Sequence, residues 1–258
     1  MTLGLPLSTM FAFLLVLARV SGLVAFFPMP AFRSAPAIVR VVLAVAISLA
    51  LFPLWPHLPN TLPTIAQLIG WAFSESAFGL AIGLAVAFLL EGFQVAMQVV
   101  GLQAGYGYSL TIDPTSQSDS GVLQVIFMLA TGWLFFLLGF DREILRVLAA
   151  SFERFPAGSL LKGGGPSAAS LDGVMHLGSS MLITGVRLAL PVVALLLLID
   201  LALALIGRMQ PQLQLLSLAF PAKMLATLAI LAALAPMFPR LFATTAARTM
   251  TVLWKLLS

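Results

Sequence analysis

The chain has 258 residues, of which 61% are hydrophobic and only 9% are charged, with a mean hydropathy of +1.10 and a formal net charge of +4. A soluble domain carries about 25% charged residues, so this composition excludes a water-exposed globular protein. The apolar runs are too long and alternate too little for the strands of an outer-membrane barrel, and we therefore predict an all-α membrane protein.

Six apolar segments are predicted to be helical, and a weakly amphipathic tail follows them at 241–257. Their expected bounds are 10–27, 37–52, 64–100, 122–140, 177–206 and 213–235. The third is longer than the roughly 20 residues that one bilayer crossing needs. Pro191 and Pro221 fall inside the fifth and sixth segments, where we expect them to interrupt the helices. No strong internal repeat divides the chain, and we treat 1–258 as a single domain.

The stretch 106–120, between the third and fourth segments, is the most irregular of the chain. Three glycines within seven residues precede or enter it, and it contains both tyrosines, an Asp-Pro turn signal and a polar run. Glycine permits positive φ, and proline disfavours helix at the residue before it. Such a segment cannot face lipid, because its free amides would find no hydrogen-bond partners there. Two interpretations stay open: a solvated connector, or a plug that constricts a conduit.

Charged side chains lie inside the apolar segments, at Arg19, Glu75, Arg187, Asp200 and Lys223. Each is costly in hydrocarbon unless it faces a partner or a water-filled path. We favour pairing between helices or subunits, which would fix their register, over a polar wall along a translocation path. Arg208, in the turn after the fifth segment, is expected to cap the carbonyls at the end of that helix.

Residues that could support catalysis are sparse. The chain has no cysteine, and His57 and His176 stand apart without a second ligand at metal-binding spacing. A nucleophile elbow and a phosphate-binding loop are also missing from the sequence. We predict a protein that is not an enzyme, that needs no metal or cofactor, and that binds no nucleic acid, because its 13 Lys and Arg residues are dispersed.

Two other function classes remain as alternatives. A stand-alone small-solute transporter would show inverted repeats and a binding site at the bilayer midplane. An intramembrane lipid-modifying enzyme would depend on Glu75, Glu91 or Asp200 as acid or base, and is the least favoured of the three because no acid–base cluster accompanies them.

Three stretches, in order along nearly the whole chain, resemble the FliR family, the R subunits of the flagellar type III export gate. They are Arg19-x2-Gly22 through Pro28 with the Arg33-Ser-Ala-Pro36 turn, Gly101-Leu-Gln103-x-Gly105 with Asp113-Pro114, and Arg208-Met-Gln-Pro211-Gln212-Leu213 with Phe220-Pro221. The segment Ser151-Phe152-x3-Pro156-x-Gly158 is also similar to the family. Virulence-secretion relatives form the T subunit of injectisomes, which leaves an injectisome gate as an alternative.

The resemblance implies one copy of this chain in a hetero-oligomeric, pseudo-helical cone of membrane-associated helical hairpins with broken helices. Five copies of FliP and four of FliQ would complete the cone, FlhB would wrap it, and FlhA would lie beneath. The location implied is the bacterial inner membrane at the flagellar basal body, with part of the assembly above the bilayer plane. Unfolded flagellar export substrates would pass through the cone, and no catalysis is implied for this subunit.

The family's plug falls on residues 106–120 of this chain. The implied plug or gate residues are Gly105, Tyr106, Gly107, Tyr108, Leu110, Ile112, Asp113 and Pro114. Among them we expect the two tyrosines, Leu110 and Ile112 to seal the passage. The positions expected to hold buried charges or to pack between subunits are Arg19, Glu75, Arg187, Asp200, Arg208 and Lys223.

Overall fold

The computed structural model describes residues 7–27, 36–56, 63–106, 121–160, 165–209 and 215–257. Within these ranges the fold is all-α, as predicted. The helices are α1 (Leu7–Ala25), α2 (Ala37–Ala50), α3 (Ile65–Ala104), α4 (Val122–Leu137), α5 (Phe140–Arg154), α6 (Ala168–Met209), α7 (Leu215–Leu234) and α8 (Phe238–Leu256). Short 3-10 turns lie at Phe52–Leu54 and Ala235–Met237.

The predicted segments correspond to helices, with two differences in extent. α3 and α6 have 40 and 42 residues, so both continue beyond the predicted apolar runs into more polar sequence. In addition, the charged stretch after the fourth segment forms α5, which hydropathy alone did not reveal because its outer face is polar. Asp141 and Glu143 lie in its first turn and Arg154 in its last, an arrangement that complements the helix dipole.

The two prolines do not interrupt the helices that contain them, contrary to the prediction. Pro191 lies within α6 and Pro221 within α7, and each helix continues on both sides. A proline inside a helix removes one backbone hydrogen bond and crowds the carbonyl four residues earlier, at a cost of about 3 kcal/mol. Apolar helices of membrane proteins tolerate this loss because neighbouring helices, Ser or Thr side chains and small local adjustments satisfy the freed backbone carbonyl.

Four helical stretches among the described residues are long and apolar enough to cross a membrane: Leu7–Ala25, Ile65–Ala104, Leu171–Met209 and Ala219–Leu256. A fifth crossing results if the bent pair α4–α5 counts as one span. α2 has only 14 residues, fewer than a crossing needs. The six apolar segments of the sequence therefore do not translate into six crossings.

The chain forms two compact units, each made of separated segments. The first comprises Met1–Leu89, Phe135–Gly178 and Ala246–Ser258, and the second comprises Leu90–Leu134 and Ser179–Thr245. The core of the second unit joins the C-terminal part of α3 to the start of α4 and to α6. Its fully or almost fully buried members are Ala96, Met97, Val100, Ala104, Leu123, Ala189, Val192 and Leu196.

In the first unit, α1 and α3 meet backbone to backbone. A Cβ atom added to Gly79 would overlap the carbonyl oxygen of Arg19, and one added to Gly22 would overlap the carbonyl oxygen of Ser76. Gly83, one turn further along α3, faces the carbonyl of Leu23, 2.8 Å from where its Cβ would be. Gly79 and Gly83 are four residues apart on one face of α3, and this spacing of small residues permits the close contact with α1.

We expect Gly79→Ala to destabilise the first unit, because the added methyl group forces α1 and α3 apart. Overpacking of this kind costs roughly 1–3 kcal/mol or more, and the thermal midpoint of the detergent-purified protein should fall. Gly101→Ala is the matched control: it lies in the same helix and its Cβ would meet no atom within 4 Å. The better helix propensity of alanine should leave that midpoint unchanged or raised. Equal losses in both variants would contradict the close contact.

Candidate functional site

The predicted plug loop, residues 106–120, lies largely outside the described residues. Of the predicted plug positions, Gly107, Tyr108, Leu110, Ile112, Asp113 and Pro114 fall outside them, and Gly105 and Tyr106 fall within. The structure therefore shows how the chain leaves α3 and enters this loop. The roles predicted for the six positions remain predictions.

α3 ends in a Schellman motif at Gly105. The backbone N–H of Gly105 donates to the carbonyl of Leu102 at 3.2 Å, and the N–H of Tyr106 donates to the carbonyl of Gly101 at 3.0 Å. Gly105 has φ of +88°, a left-handed conformation that suits glycine. A Cβ atom here would also lie 2.6 Å from Cδ1 of Phe220 on α7. Both the conformation and the space require glycine at this position.

Tyr106, the first residue of the loop, is anchored to the second unit. Its ring packs against the buried cluster of that unit, and its hydroxyl donates to the backbone carbonyl of Met224 on α7 at 3.3 Å. Burial raises the pKa of the Tyr106 phenol above its usual value of 10.0, because the phenolate would lose hydration. The hydroxyl therefore stays protonated and able to donate at any physiological pH. The sealing role expected of Tyr106 is a separate prediction that these contacts do not test.

An ion pair between α6 and α7 lies beside this anchor. Lys223 Nζ is 2.7 Å from Asp200 Oδ1, and Gln103 Nε2, in the last turn of α3, donates to Asp200 Oδ2 at 3.2 Å. The carboxylate of Asp200 therefore joins three helices through its two oxygens. The Lys223 side chain is only 14% exposed. We call this set the loop root: Gln103, Gly105, Tyr106, Asp200, Phe220, Lys223 and Met224.

A second ion pair is fully buried in the first unit. Arg19 on α1 bonds through Nε to Glu75 Oε2 on α3 at 2.6 Å, and neither side chain has any exposed surface. The guanidinium lies between two rings, with its central carbon 4.2 Å from the centre of Phe152 and 5.1 Å from that of Phe78. The rings exclude water while their faces attract the cation.

The remaining donors and acceptors of this pair bind the end of α5 and the turn after it. Arg19 Nη1 donates to the carbonyl and hydroxyl oxygens of Ser151 at 2.9 and 3.0 Å, and Nη2 donates to the carbonyl of Phe155 at 2.8 Å. Glu75 Oε1 accepts from the backbone N–H of Gly158 at 2.8 Å. Burial of two charges is tolerated because each is paired and hydrogen-bonded. This pair fixes helix register.

Arg187 and Arg208, the other two predicted charge positions, are exposed on α6. Arg208 lies in the last turn of that helix, where its positive charge interacts favourably with the helix dipole. Whether either arginine packs against another subunit stays a prediction.

The titratable side chains of the described residues are not arranged as in a metal site or a catalytic site. Within the described ranges, no three His, Cys, Asp or Glu side chains come together in a way that could hold a metal ion. Asp200 and Glu75 are each engaged by a cation and by further hydrogen-bond donors, so neither resembles a free general base. Both carboxylates form ion pairs that connect neighbouring helices.

Sequence reasoning did not identify Gln103, Phe220 and Met224 as parts of a site. Gln103 and Phe220 stand within the motifs that carry the family resemblance, so their presence there was the available signal. Met224 contributes only a backbone carbonyl, which no residue pattern could have indicated. Phe155 likewise contributes only a backbone carbonyl to Arg19. Gly158 also contributes only a backbone group, but it stands in the segment Ser151-Phe152-x3-Pro156-x-Gly158, which resembles the family.

The chain matches the family described as bacterial export proteins, family 1, over residues 10–249. It is 30% identical over 223 residues to the flagellar biosynthetic protein FliR of Escherichia coli (strain K12), which covers 86% of this chain and 83% of that protein. The FliR protein of Bacillus subtilis (strain 168) is 27% identical over 215 residues, and that of Aquifex aeolicus (strain VF5) is 25% identical over 194 residues. These matches cover 82% and 72% of this chain, and 81% and 70% of the two relatives.

Removing one member of the Arg19–Glu75 pair should destabilise the protein more than removing both. Glu75→Gln or Arg19→Met leaves a buried charge without its partner, which typically costs roughly 3–5 kcal/mol. In the double variant both charges are gone, and the thermal midpoint in detergent should lie above that of either single variant. Exposed Arg142→Gln on α5 serves as the control and should change little. Additive losses would show that the pair is not coupled.

Proposed function

Because this chain belongs to family 1 of the bacterial export proteins and to the FliR family, we propose that it is a channel-forming subunit of the flagellar type III export gate. In this role it helps to form, and to plug, the conduit through which unfolded flagellar proteins are exported during flagellum assembly. It is a membrane protein by its apolar helices, and its proposed place is the inner membrane at the base of the flagellum. The relatives are named as flagellar proteins, which favours a flagellar over an injectisome gate.

The partners we propose are FliP and FliQ within the conduit, with FlhB around it and FlhA beneath it. Large apolar surfaces of the isolated chain support an assembly of this kind. In the most apolar stretch of Leu171–Met209 only 17% of the residues are buried, and in that of Ala219–Leu256 only 11%. Surfaces of this size and polarity require lipid or protein against them.

The loop root is the observation on which the plug proposal rests. The chain enters the loop from a fixed point, because a Schellman motif, the Tyr106 hydroxyl and the Asp200 carboxylate tie that point to α6 and α7. A polar segment that is predicted from sequence to be irregular, and that starts from such an anchor among apolar helices, is suited to occupy an aqueous or protein-lined passage. A solvated connector would need no anchor of this kind.

Replacing 107–120 by a short Gly-Ser link, with Tyr106 and Gly121 retained, should make the assembled gate leak ions or small molecules. Assembly should persist, because the loop root is unchanged. The measurement is dye or ion flux across the membrane of cells expressing the variant. A similar replacement at 161–164 is the control and should not leak. A tight membrane together with normal secretion would refute the plug role.

Lys223→Met should also increase leakage or impair secretion, since it leaves the Asp200 carboxylate without its cation. Lys223→Met should also lower the stability of the protein. The double variant Asp200→Asn with Lys223→Met should be more stable than Lys223→Met alone, because no charge remains unpaired. Arg142→Gln, an exposed position on α5 outside the loop root, is the control. Flux and secretion are measured together with the amount of assembled complex. Normal function in Lys223→Met would mean that the ion pair does not position the loop.

Co-expression and purification separate this proposal from a stand-alone transporter. A gate subunit should purify functionally only with its neighbours, and native mass spectrometry of the co-expressed proteins would then show a hetero-oligomer. A monomer or homodimer that moves a small solute by itself would favour the transporter.

A further inference from the structure

α8 is buried along one side and exposed along the other. On the buried side, the ring of Phe242 has no exposed surface and its centre lies 5.4 Å from that of Phe93 on α3. The other buried side chains of α8 are at most 7% exposed: Ala246, Thr249, Met250, Leu253 and Leu256. The apolar side of α8 is therefore already covered by this chain.

The exposed side of α8 carries three cations, Arg240, Arg248 and Lys255. At about 100° per residue they fall within about 80° of one another around the helix axis. Along the axis, at ~1.5 Å per residue, successive cations are about 12 Å and about 11 Å apart. Exposed smaller residues lie between them on the same face: Thr244, Ala247 and Thr251. We call these six residues the basic face.

No acidic side chain of this part of the sequence balances the basic face. Neither Asp nor Glu occurs after Asp200, and Arg240 and Arg248 form no ion pair with the residues that the structure describes. The hydroxyls of Thr244 and Thr251 donate to carbonyls of their own helix. The long cationic side chains are therefore the groups of this face that can reach a ligand.

The exposed face of α5 shows what a self-balanced surface of the same chain looks like. Arg146 pairs there with Glu143, and the exposed Glu153 is followed by the exposed Arg154. Interspersed charges of both signs are typical of a surface that faces water. A face of one sign instead favours a neighbour of the opposite sign.

Phospholipid headgroups cannot cover the whole basic face. The helical stretch Ala219–Leu256 has 38 residues, about 57 Å of helix, whereas the hydrocarbon core is about 30 Å thick and each headgroup layer adds only about 5–8 Å. The apolar residues of α7 fill the core, so α8 continues beyond it. Arg248 and Lys255 lie about 12 and 23 Å further along the helix than Arg240, too far apart for one headgroup layer.

We propose that the basic face binds an acidic segment of another protein, with carboxylates spaced about 11–12 Å apart along about 23 Å of α8. Arginine is suited to this contact because its guanidinium binds a carboxylate through two parallel hydrogen bonds. The proposal concerns the charge of the neighbour and not its function, so it does not rest on the export-gate proposal.

A photo-crosslinking amino acid at Thr251, between Arg248 and Lys255, tests the contact in cells that contain the full chain and its natural neighbours. We expect an adduct with another protein, at a peptide that contains Asp or Glu residues. The same amino acid at the buried Leu253 is the control and should give no adduct with another protein. At Thr251, no adduct, an adduct with lipid alone, one confined to this chain, or one with a peptide that lacks acidic residues would each overturn the proposal.

A charge swap then tests whether the contact is electrostatic. Arg248→Glu should lower the yield of the Thr251 adduct about tenfold, because like charges across an interface cost several kcal/mol. Exchanging the crosslinked acidic residue of the partner for arginine should restore the yield in this variant. Arg142→Glu, at an exposed position of α5, is the matched control and should leave the yield unchanged.

The thermal midpoint of the isolated chain in detergent should be the same with and without Arg248→Glu, because Arg248 is exposed. This measurement separates a lost contact from a lost fold. An unchanged adduct yield in Arg248→Glu, or no recovery in the swapped pair, would refute the proposal. The adduct is measured without flux or secretion, so a failure of the export-gate proposal would be seen separately.

Discussion

The fold depends on the requirement that polar groups within apolar helices find partners inside the protein. Hydrocarbon supplies no hydrogen bonds and solvates charge poorly, so an unpaired charge there is expensive. Two ion pairs meet this requirement in the described chain. Arg19 and Glu75 are satisfied by each other, by Ser151 and by backbone groups of the turn after α5. Asp200 and Lys223 are satisfied by each other, with Gln103 as a further donor to Asp200.

The two ion pairs lie in different parts of the structure and therefore have different roles. The first is sealed from solvent between aromatic rings and holds α1, α3 and the end of α5 in register, so its effect is on the folded state. The second is only partly buried, with 39% of the Asp200 side chain exposed, and it lies at the end of α3, from which the chain enters the predicted plug loop. Its effect is on the point from which that loop departs. The Arg19–Glu75 pair thus stabilises the fold, whereas the Asp200–Lys223 pair is proposed to position the plug loop.

Sequence patterns predicted the helices of this fold better than they predicted the contacts. The six apolar runs located six of the eight described helices, because hydropathy reports burial or lipid contact directly, and the weakly amphipathic tail located α8. They missed α5, whose exposed face is charged, and they misjudged Pro191 and Pro221, because long apolar helices accommodate a missing hydrogen bond. The charges at Arg19, Glu75, Asp200 and Lys223 were identified as unusual. Their partners were not, since pairing across 56 positions between Arg19 and Glu75 leaves no local signature.

We propose that the loop at 107–120, held at its root by Tyr106 and Asp200, lies in the path of exported protein. The most direct measurement places a photo-crosslinking amino acid at Tyr108 in cells that contain a stalled flagellar export substrate. We expect a covalent adduct with the substrate from this position and none from Met175, a surface residue of α6 that is 75% exposed. Adducts with lipid alone at Tyr108, or equal adducts with substrate from both positions, would contradict it.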